Sequence, residues 1–236
     1  MKNKENIMIL IPARGGSKTV KKKNLFLLNG KPLIYWTIKY AMKFDEVNKI
    51  FVSSDDNLII SNAKKLGVQI HKRPSSLATD SSLVVDTIKH FYNSFSDKMK
   101  PDIIILLEPT CPLRKPSWLI NCLNRMHKEK LDSIATFSLA ETNPERCWHI
   151  TKKEVKPLLA GSIPWMPRQK LRPVYKLNGA IYAFRPKSLP KKSPTLLYGK
   201  YAAEIIDGSY LVDIDDEKDF IIANALFKSS KFSFFK

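Results

Sequence analysis

The sequence lacks any apolar run near the ~20 residues that a transmembrane helix needs. The apolar run nearest its N-terminus covers only residues 7–11, which is too short for a signal peptide and fits a buried strand. Cysteine is also scarce. Cys111, Cys122 and Cys147 form no CxxC pair, which favours neither a disulfide framework nor a zinc site. We therefore expect a cytoplasmic protein that spans no membrane.

Arginine supplies only 8 of the 40 basic residues, although the net charge is +18. The lysines are scattered along the chain, which is typical of a solvated surface, and their field would also attract an acidic substrate. A nucleic-acid-binding protein should instead show a continuous basic stripe with interleaved aromatic residues. Only residues 227–236 have that pattern, and a packed or frayed terminus explains them better than contact with a membrane surface. Nucleic-acid binding is therefore the weaker alternative.

Strand and helix signals alternate through the first 140 residues, which predicts an α/β fold with a mostly parallel sheet and helices on its faces. Apolar runs predict strands at 7–11, 50–52, 68–70, 103–107, 134–137, 180–184 and 210–214. Helical spacing predicts helices that begin at Pro32, Val84 and Glu217, and two more that are capped by Asp55 or Asp56 and by Ser117.

Residues 141–176 break this rhythm, because they are rich in proline, tryptophan and basic residues and have no sustained helical period. Long loops without secondary structure are uncommon in compact domains. The segment is therefore predicted to be an arm, a lid or an oligomer contact. It is inserted into a single α/β domain that comprises residues 1–140 and 177–236.

The loop after the first strand places two adjacent glycines, Gly15 and Gly16, between Arg14 and Lys18. Glycines let the backbone approach a ligand, and successive amide N–H groups can form an anion-binding concavity. Lys23 adds charge near the carboxyl end of a central strand, where α/β sheets bind ligands. Phosphate binding and a basic surface turn both stay open. The loop matches neither the Walker A pattern nor GxGxxG, which disfavours a dinucleotide oxidoreductase.

Two aspartates near the C-terminus are candidate metal ligands. If residues 210–215 form a strand, Asp213 and Asp215 point to the same face, about 6.5 Å apart. Carboxylates so placed can share Mg2+, which takes oxygen ligands and keeps waters and substrate phosphates. Asp216 lies off that face and is predicted to cap the following helix together with Asp219. An acidic turn that only caps a helix is the alternative.

Two further stretches are candidates for substrate contact. Residues 108–114 form a proline-containing turn directly after a predicted strand, although a simple strand-to-helix connector fits almost as well. Residues 166–170 place Arg168 on the arm, where its planar guanidinium can reach a phosphate or a carboxylate. An exposed arginine is usually only solvated, so this second signal is weak by itself.

Taken together, these stretches resemble the acylneuraminate cytidylyltransferase family, the CMP-sialic acid synthetases. The matching pieces occur in the family's order over residues 7 to about 225, as IPARGGSK with KKNL, VSSDD, RPSSLATD, LLEPTCPLR, MPRQKL, LNGAIY and VDIDD. The sequence is similar to bacterial members that act on N-acetylneuraminic or legionaminic acid. The resemblance implies a Rossmann-like fold, a homodimer that exchanges the arm, and dependence on Mg2+.

The resemblance also implies roles for individual residues. The positions that match nucleotide contacts are Ala13, Arg14, Gly15, Gly16, Ser17, Lys18, Lys23, Asn24, Arg73 and Ser82. The positions expected to bind the sugar are Glu108, Thr110, Gln169 and Asn178. Asp213 and Asp215 match the metal-binding aspartates, and the expected catalytic residues are Arg168, Asp215 and Lys23.

Departures from the family pattern leave the identity of the sugar open. Glu108 stands where the family has a substrate-contacting glutamine. A carboxylate there would repel an anionic sugar unless it is protonated, paired with lysine or turned toward a hydroxyl or amino group. Val84 replaces a common serine, and Thr19 and Val20 replace Gly-Ile. An eight-carbon ulosonic acid or another sugar is the alternative substrate, although the first loop argues against the eight-carbon case.

The implied reaction is attack by the anomeric hydroxyl of the sugar on the α-phosphate of CTP, which gives a CMP-sugar and pyrophosphate. Such transfers depend mainly on positioning and charge neutralisation. Mg2+ on the two aspartates would neutralise the phosphates, and the basic residues of the first loop would stabilise the leaving pyrophosphate. Arg168 would act across the dimer.

Overall fold

The computed structural model describes residues 5–16, 20–192, 194–209 and 211–229. Its strands are β1 (Ile7–Pro12), β2 (Leu27–Leu28), β3 (Lys31–Pro32), β4 (Lys49–Ser54), β5 (Gln69–Lys72), β6 (Ile103–Leu106), β7 (Ser133–Leu139), β8 (Trp148–Ile150), β9 (Val155–Pro157), β10 (Tyr175–Phe184) and β11 (Tyr201–Ile205). Its α-helices are α1 (Leu33–Ala41), α2 (Asn57–Lys65), α3 (Val84–Asn93), α4 (Pro116–Glu129) and α5 (Glu217–Lys228).

Seven strands form one sheet in the order β11-β7-β10-β6-β1-β4-β5, and β10 is the strand that runs antiparallel to its neighbours. β1 pairs in parallel with β4 on one side and with β6 on the other. The chain proceeds from β1 to β4 and β5 and then crosses back to β6, so the strand order reverses between β1 and β6. Open α/β sheets bind ligands beyond the carboxyl ends of the strands at such a switch point.

The central strand β1 is buried on both faces, as its uninterrupted apolar sequence predicts. Ile9 and Ile11 pack in a cluster with α1, α2 and α4, whereas Met8 and Leu10 pack with α3 on the other face. Burial of each such side chain contributes roughly 1.5–3 kcal/mol. The predicted fold class, a mostly parallel sheet with helices on both faces, is confirmed.

Helix caps test the finer predictions. Asp216 accepts from the N–H of Asp219 at 3.0 Å, and the side chain of Asp219 accepts from the N–H of Asp216 at 3.1 Å, which is the predicted cap of α5. Asp56 caps α2 through two backbone N–H groups, also as predicted. The prediction that Ser117 caps α4 is wrong, because the helix begins one residue earlier at Pro116. Proline suits a first helical position, where its missing N–H is not needed.

The strand predicted at 210–214 is wrong for its described part, because residues 211–214 form no strand. Val212 and Ile214 are nevertheless buried and Asp213 is exposed, so the alternation of the side chains is as expected. The sequence pattern also misses β11, an edge strand beside β7. Within the arm, β8 and β9 form a separate two-stranded hairpin.

The C-terminal helix α5 packs beside the β2–β3 hairpin in a smaller cluster. Phe227 is buried there, with its ring 4.5 Å from that of Trp36. The rest of the basic, aromatic tail lies outside the described residues from residue 230 onward. None of the helices in the described ranges is both long and apolar enough to cross a membrane.

Candidate active site

A pocket of about 390 Å3 opens at the carboxyl ends of β1 and β6, where the strand order reverses. Its walls come from the first loop, the end of β5, the segment before α3, the turn after β6 and the C-terminal segment. The lining residues are Pro12, Arg14, Gly16, Lys23, Asn24, Arg73, Leu77, Thr79, Ser82, Val84, Thr87, Glu108, Pro109, Thr110 and Asp215. Nine of the residues predicted for the site are therefore brought together here.

The first loop is held against the end of β4 by hydrogen bonds from its backbone. The N–H of Ala13 donates to the carbonyl of Ser53 at 2.9 Å, and the N–H of Gly15 donates to Asp55 Oδ1 at 3.0 Å. A Cβ on Gly15 would lie 2.8 Å from the Cβ of Asp56, so a larger residue would force the loop to move. Ala13 and Gly15 therefore shape the loop and do not line the pocket.

Cations form one wall of the pocket. Arg14 pairs with Asp80 at 2.8 Å, and its carbonyl accepts a hydrogen bond from Asn24 Nδ2 at 3.0 Å. Burial lowers the pKa of Arg73 to about 10, with an opposing contribution from Asp55 and a further lowering by Arg14, so the group keeps its charge at neutral pH. Ser17 and Lys18, which are also predicted nucleotide contacts, lie outside the described residues.

Lys23 joins this wall to the C-terminal segment. Its Nζ donates to the carbonyl of Ile214 at 2.9 Å and to Asp215 Oδ1 at 3.1 Å. The lysine side chain is 13% exposed, whereas that of Asp215 is 77% exposed. The lysine is therefore fixed by its surroundings, and Asp215 lies at the edge of the pocket where a ligand can reach it.

The acidic wall of the pocket includes Glu108, and Asp213, which is not among the lining residues, lies beside it at Gly179. Glu108 Oε2 and Asp213 Oδ2 lie 3.0 and 3.3 Å from the place that a Cβ on Gly179 would occupy. These oxygens are at most 6.3 Å apart, the sum of those two distances. Gly179 also has a φ of +68°, where other residues are strained. The glycine therefore makes room for both carboxyl groups.

The protonation of Glu108 follows from its burial first and from the neighbouring carboxylates second. Burial raises its pKa to about 7, and Asp213 and Asp215 raise it as well, whereas Arg114 and Lys23 lower it. Near neutral pH a sizeable fraction of the carboxyl groups is protonated and can donate a hydrogen bond. A protonated Glu108 would not repel an anionic sugar.

The described residues contain no group of three or more His, Cys, Asp or Glu side chains that could hold a metal ion by themselves. Asp213 and Asp215 nevertheless fit Mg2+, which binds through one or two carboxylates and completes its shell with waters and substrate phosphates. The concentration of negative charge that raises the pKa of Glu108 also favours a cation at this place.

Asn178 and Thr110, both predicted to bind sugar, differ in placement. Thr110 lines the pocket, and its carbonyl accepts from the N–H of Ile214 at 2.8 Å. Asn178 is buried on β10, where its Oδ1 accepts from Thr136 Oγ1 at 2.7 Å. Its Nδ2 has no hydrogen-bond partner among the described residues. Asn178 lines neither the main pocket nor the pocket beside Tyr182, so its contact with a sugar stays a prediction.

Arg114 is a residue of the site to which the motifs assign no role. It is fully buried, and it donates to the carbonyl oxygens of Glu108 and Ala180 and to Thr37 Oγ1. These bonds fix the turn after β6 against β10 and so position Glu108. The available sequence signal is a single arginine at the end of an apolar, proline-containing stretch.

The arm residues Arg168 and Gln169 do not reach this pocket within one chain. Both are exposed on the short 3-10 turn Arg168–Lys170. Arg168 instead lines a separate pocket of about 260 Å3 together with Glu141 and Arg172.

The fold and the pocket together define a Rossmann-like α/β protein with a ligand site of cationic and acidic walls at its switch point. A sequence model of the Cytidylyltransferase family matches residues 8–193. Since the match covers most of the chain, the protein belongs to the cytidylyltransferase family.

Two similar proteins have names that are more specific than the family name. The N-acylneuraminate cytidylyltransferase of Streptococcus agalactiae serotype V is 29% identical over 214 residues, which are 90% of this chain and 51% of that protein. The CMP-N,N'-diacetyllegionaminic acid synthase of Legionella pneumophila is 35% identical over 187 residues, 78% of this chain and 79% of that protein. The chain thus spans about half the length of the streptococcal relative.

Solved structures share the fold at low identity. A CMP:2-keto-3-deoxy-manno-octonic acid synthetase complexed with CTP has a TM-score of 0.67 at 19% identity, covering 94% of this chain and 98% of that one. The 4-diphosphocytidyl-2C-methyl-D-erythritol synthase of Anaerococcus prevotii has a TM-score of 0.62 at 14% identity, covering 96% and 100%.

Proposed function

We propose that this chain joins CTP to a nine-carbon, sialic-acid-like sugar in the cytoplasm, giving a CMP-sugar and pyrophosphate. The observation that carries the proposal is the charged lining of one pocket, which combines the cations Arg14, Lys23 and Arg73 with the carboxyl groups of Glu108 and Asp215. Cations suit a triphosphate, and carboxyl groups suit a metal ion and the polar groups of a sugar. The names of the relatives support the same chemistry.

In the proposed reaction, the anomeric oxygen of the sugar forms a bond to the α-phosphorus of CTP. The bond from that phosphorus to the oxygen bridging to the β-phosphate breaks, pyrophosphate leaves, and the hydroxyl proton passes to solvent. Arg14 and Lys23 would stabilise the charge that builds on the leaving group. Arg73, Asn24 and Ser82 would hold the nucleotide in line for attack.

Asp213 and Asp215 would hold Mg2+, which would neutralise the triphosphate and lower the pKa of the attacking hydroxyl. Lys23, 3.1 Å from Asp215 Oδ1, orients that carboxylate and limits the repulsion between the two aspartates. The lysine therefore serves both the leaving group and the acidic wall.

The sugar would lie on the Glu108 side. Glu108 lines both the main pocket and a second pocket of about 230 Å3, whose lining includes Leu177, Tyr182 and Leu196. The apolar lining suits an acyl substituent. The carboxyl of Glu108 is then available to hydroxyl and amide groups of the sugar.

The arm would complete the site in a homodimer. In one chain it exposes Ile150 by 69%, Ile163 by 57% and Trp165 by 82%. Large exposed apolar patches mark protein contacts. Exchange of the arm would cover these residues and would bring Arg168 and Gln169 to the pocket of the second chain, where Arg168 would bind the triphosphate.

The test is pyrophosphate release with Mg2+, with each nucleoside triphosphate offered to N-acetylneuraminic, legionaminic and eight-carbon ulosonic acids. We expect release with CTP and a nine-carbon acid. The Asp215→Ala variant, purified in the same way, controls for contaminating enzymes. Release only with the eight-carbon acid would favour the alternative substrate. No release from a folded protein with any pair would refute the proposed function.

A further inference from the structure

A chain of hydrogen bonds leads from Arg73 in the pocket to the protein surface. Arg73 Nε donates to Ser53 Oγ at 3.1 Å, and its Nη2 donates to the carbonyl of Ser53 at 2.9 Å. Ser53 Oγ lies 2.9 Å from His71 Nδ1, and His71 Nε2 lies 2.8 Å from His90 Nδ1. Ser53 and His71 are paired directly across β4 and β5, so the register of the sheet sets their contact.

The donor and acceptor groups available on each side chain set the direction of this series of hydrogen bonds. A guanidinium only donates, so Ser53 Oγ must accept from Arg73. If its own hydroxyl hydrogen then goes to His71 Nδ1, the neutral imidazole carries its hydrogen on Nε2 and donates to His90 Nδ1. In this direction the Ser53 hydroxyl and the His71 ring N–H each have an acceptor. In the reverse direction, the Ser53 hydroxyl hydrogen has no recorded acceptor among the described residues.

The surroundings favour a neutral, fixed His71. Ser53 is fully buried, His71 is 7% exposed, and the ring of Phe91 packs edge-on to His71 at 5.3 Å. Burial lowers the pKa of His71 to about 4, and His90 and Arg73 lower it further. His71 is therefore uncharged near neutral pH, and one of its ring nitrogens is an acceptor.

The bonds leave one edge of Arg73 for a ligand. Both of its recorded hydrogen bonds go to Ser53, and its Nη1 bonds to no described residue. The guanidinium lines the pocket although the residue is only 7% exposed. A buried side chain that is held along one edge presents the opposite edge in a fixed orientation, which reduces the ordering needed on binding.

We propose that Ser53 and His71 are positioning residues for nucleotide binding. They hold Arg73 through a directional hydrogen-bond chain that ends at His90 on the surface. The inference rests on the proposed function, because the ligand that Arg73 would meet is the nucleotide. Neither Ser53 nor His71 touches that ligand.

Ser53→Ala tests the chain kinetically. It removes the acceptor of Arg73 Nε, a charged group, so we expect the KM for CTP to rise about tenfold. The kcat and the KM for the sugar should stay within about twofold, since Arg73 binds the nucleotide uniformly before and during the reaction. A purely structural role would lower the melting temperature and kcat without this rise. An unchanged KM for CTP would overturn the proposal.

Two further variants sharpen the kinetic test. His71→Asn keeps an oxygen acceptor near the place of Nδ1 and should restore most of the CTP affinity that His71→Leu loses.

In an Arg73→Ala background, Ser53→Ala should cause no additional rise in the KM for CTP, because its effect acts through the arginine. An equal rise in both backgrounds would overturn the proposal. His127→Asn, at an exposed histidine on α4, is the control substitution.

Nitrogen NMR of the histidine rings separates this inference from the proposed function. The spectrum of His71, assigned by its loss in His71→Asn, should show the tautomer protonated at Nε2. The tautomer protonated at Nδ1 would overturn the hydrogen-bond chain whatever the activity. The wild-type protein could show the expected tautomer and bind CTP in calorimetry but release no pyrophosphate. That result would support the hydrogen-bond chain and refute the proposed function.

Discussion

The pocket and the arm differ in how far a single chain supports them. Around the pocket, the functional side chains are anchored by buried neighbours: Arg73 bonds to Ser53, and the carbonyl of Glu108 bonds to Arg114. In the arm, β8 and β9 pair only with each other among the strands of the described residues, and Trp165 is 82% exposed. A two-stranded hairpin is marginally stable by itself in water. The pocket is thus organised within one chain, whereas we propose that the arm is stabilised by a second chain.

This difference separates two kinds of substitution. Donors that are already oriented need no reorganisation during the reaction, so changes in the pocket should affect turnover without affecting assembly. Changes in the arm should affect assembly, and turnover only where an arm residue reaches an active site. The predictions that follow test this separation.

The largest effect is expected from Asp215→Ala. The variant loses a proposed metal ligand and the partner of Lys23, so turnover with Mg2+ should fall by about 10³-fold. Its exposed side chain makes little contribution to folding, so the free energy of unfolding should stay near that of the wild type. Steady-state kinetics and urea unfolding measure the two quantities. Near-normal turnover with Mg2+ would refute the metal assignment.

The neighbouring residue provides the matched control. Asp216→Ala removes the capping box of α5 and should lower the free energy of unfolding by about 1 kcal/mol. Its turnover should change little, because Asp216 is engaged with the helix and does not line the pocket. The two adjacent aspartates should therefore separate catalysis from stability.

Arg168→Ala tests whether the arm reaches an active site. Loss of a guanidinium on the triphosphate should lower turnover about 10²-fold. Dimers formed by coexpression with Asp215→Ala distinguish the two possible arrangements. If Arg168 serves the second chain, mixed dimers have one intact site, and about a quarter of wild-type activity should return. If it serves its own chain, no activity should return.

Trp165→Ser tests the arm as a contact between chains. A large exposed aromatic residue is a typical hot spot, so the dimer dissociation constant should rise about thirtyfold. The free energy of unfolding of the isolated chain should stay nearly constant, because the side chain is mostly exposed within one chain. Leu58→Ser, an exposed apolar residue on α2, is the control. Identical sedimentation of the two variants would contradict the proposed arm contact.

The features that the sequence predicts are those that depend on local patterns, and the features that it misses depend on the arrangement of strands in the sheet. The buried strands β1 and β6 have continuous apolar runs, and Asp56 and Asp216 have the positions of helix caps, so local patterns suffice. The pocket residues follow from motifs at strand ends, together with the family resemblance. Their hydrogen-bond partners, such as Ser53 for Arg73, depend on the order of strands in the sheet, which local patterns do not contain.

The failed predictions have physical causes of the same kind. Val212 and Ile214 alternate with Asp213 and Asp215 as in a strand, but alternation follows from burying one side of any extended segment, whether or not a neighbouring strand pairs with it. β11 is a short edge strand with a polar residue, Glu204, and gives only a weak pattern. Arg114 lies in an apolar stretch, where its carbonyl partners cannot be inferred from sequence spacing.

The finest test of the pocket concerns the protonation of Glu108. Its pKa is raised from 4.5 to about 7 in the folded protein. The folded chain therefore binds more protons than the unfolded chain between these pH values. The stability that this proton binding contributes is complete below pH 4.5 and is lost as the pH rises through about 7.

In Glu108→Gln that loss should disappear, because the amide does not titrate. Relative to the variant, the wild type should lose roughly 1–3 kcal/mol of unfolding free energy between pH 4.5 and pH 7.5. Urea unfolding with a chelator present measures this difference, since Mg2+ beside Asp213 would itself stabilise the ionised carboxyl. Glu46→Gln, on the exposed surface, is the matched substitution. Parallel profiles for wild type and Glu108→Gln would mean that neither burial nor the two aspartates raises the pKa of Glu108 in the folded protein.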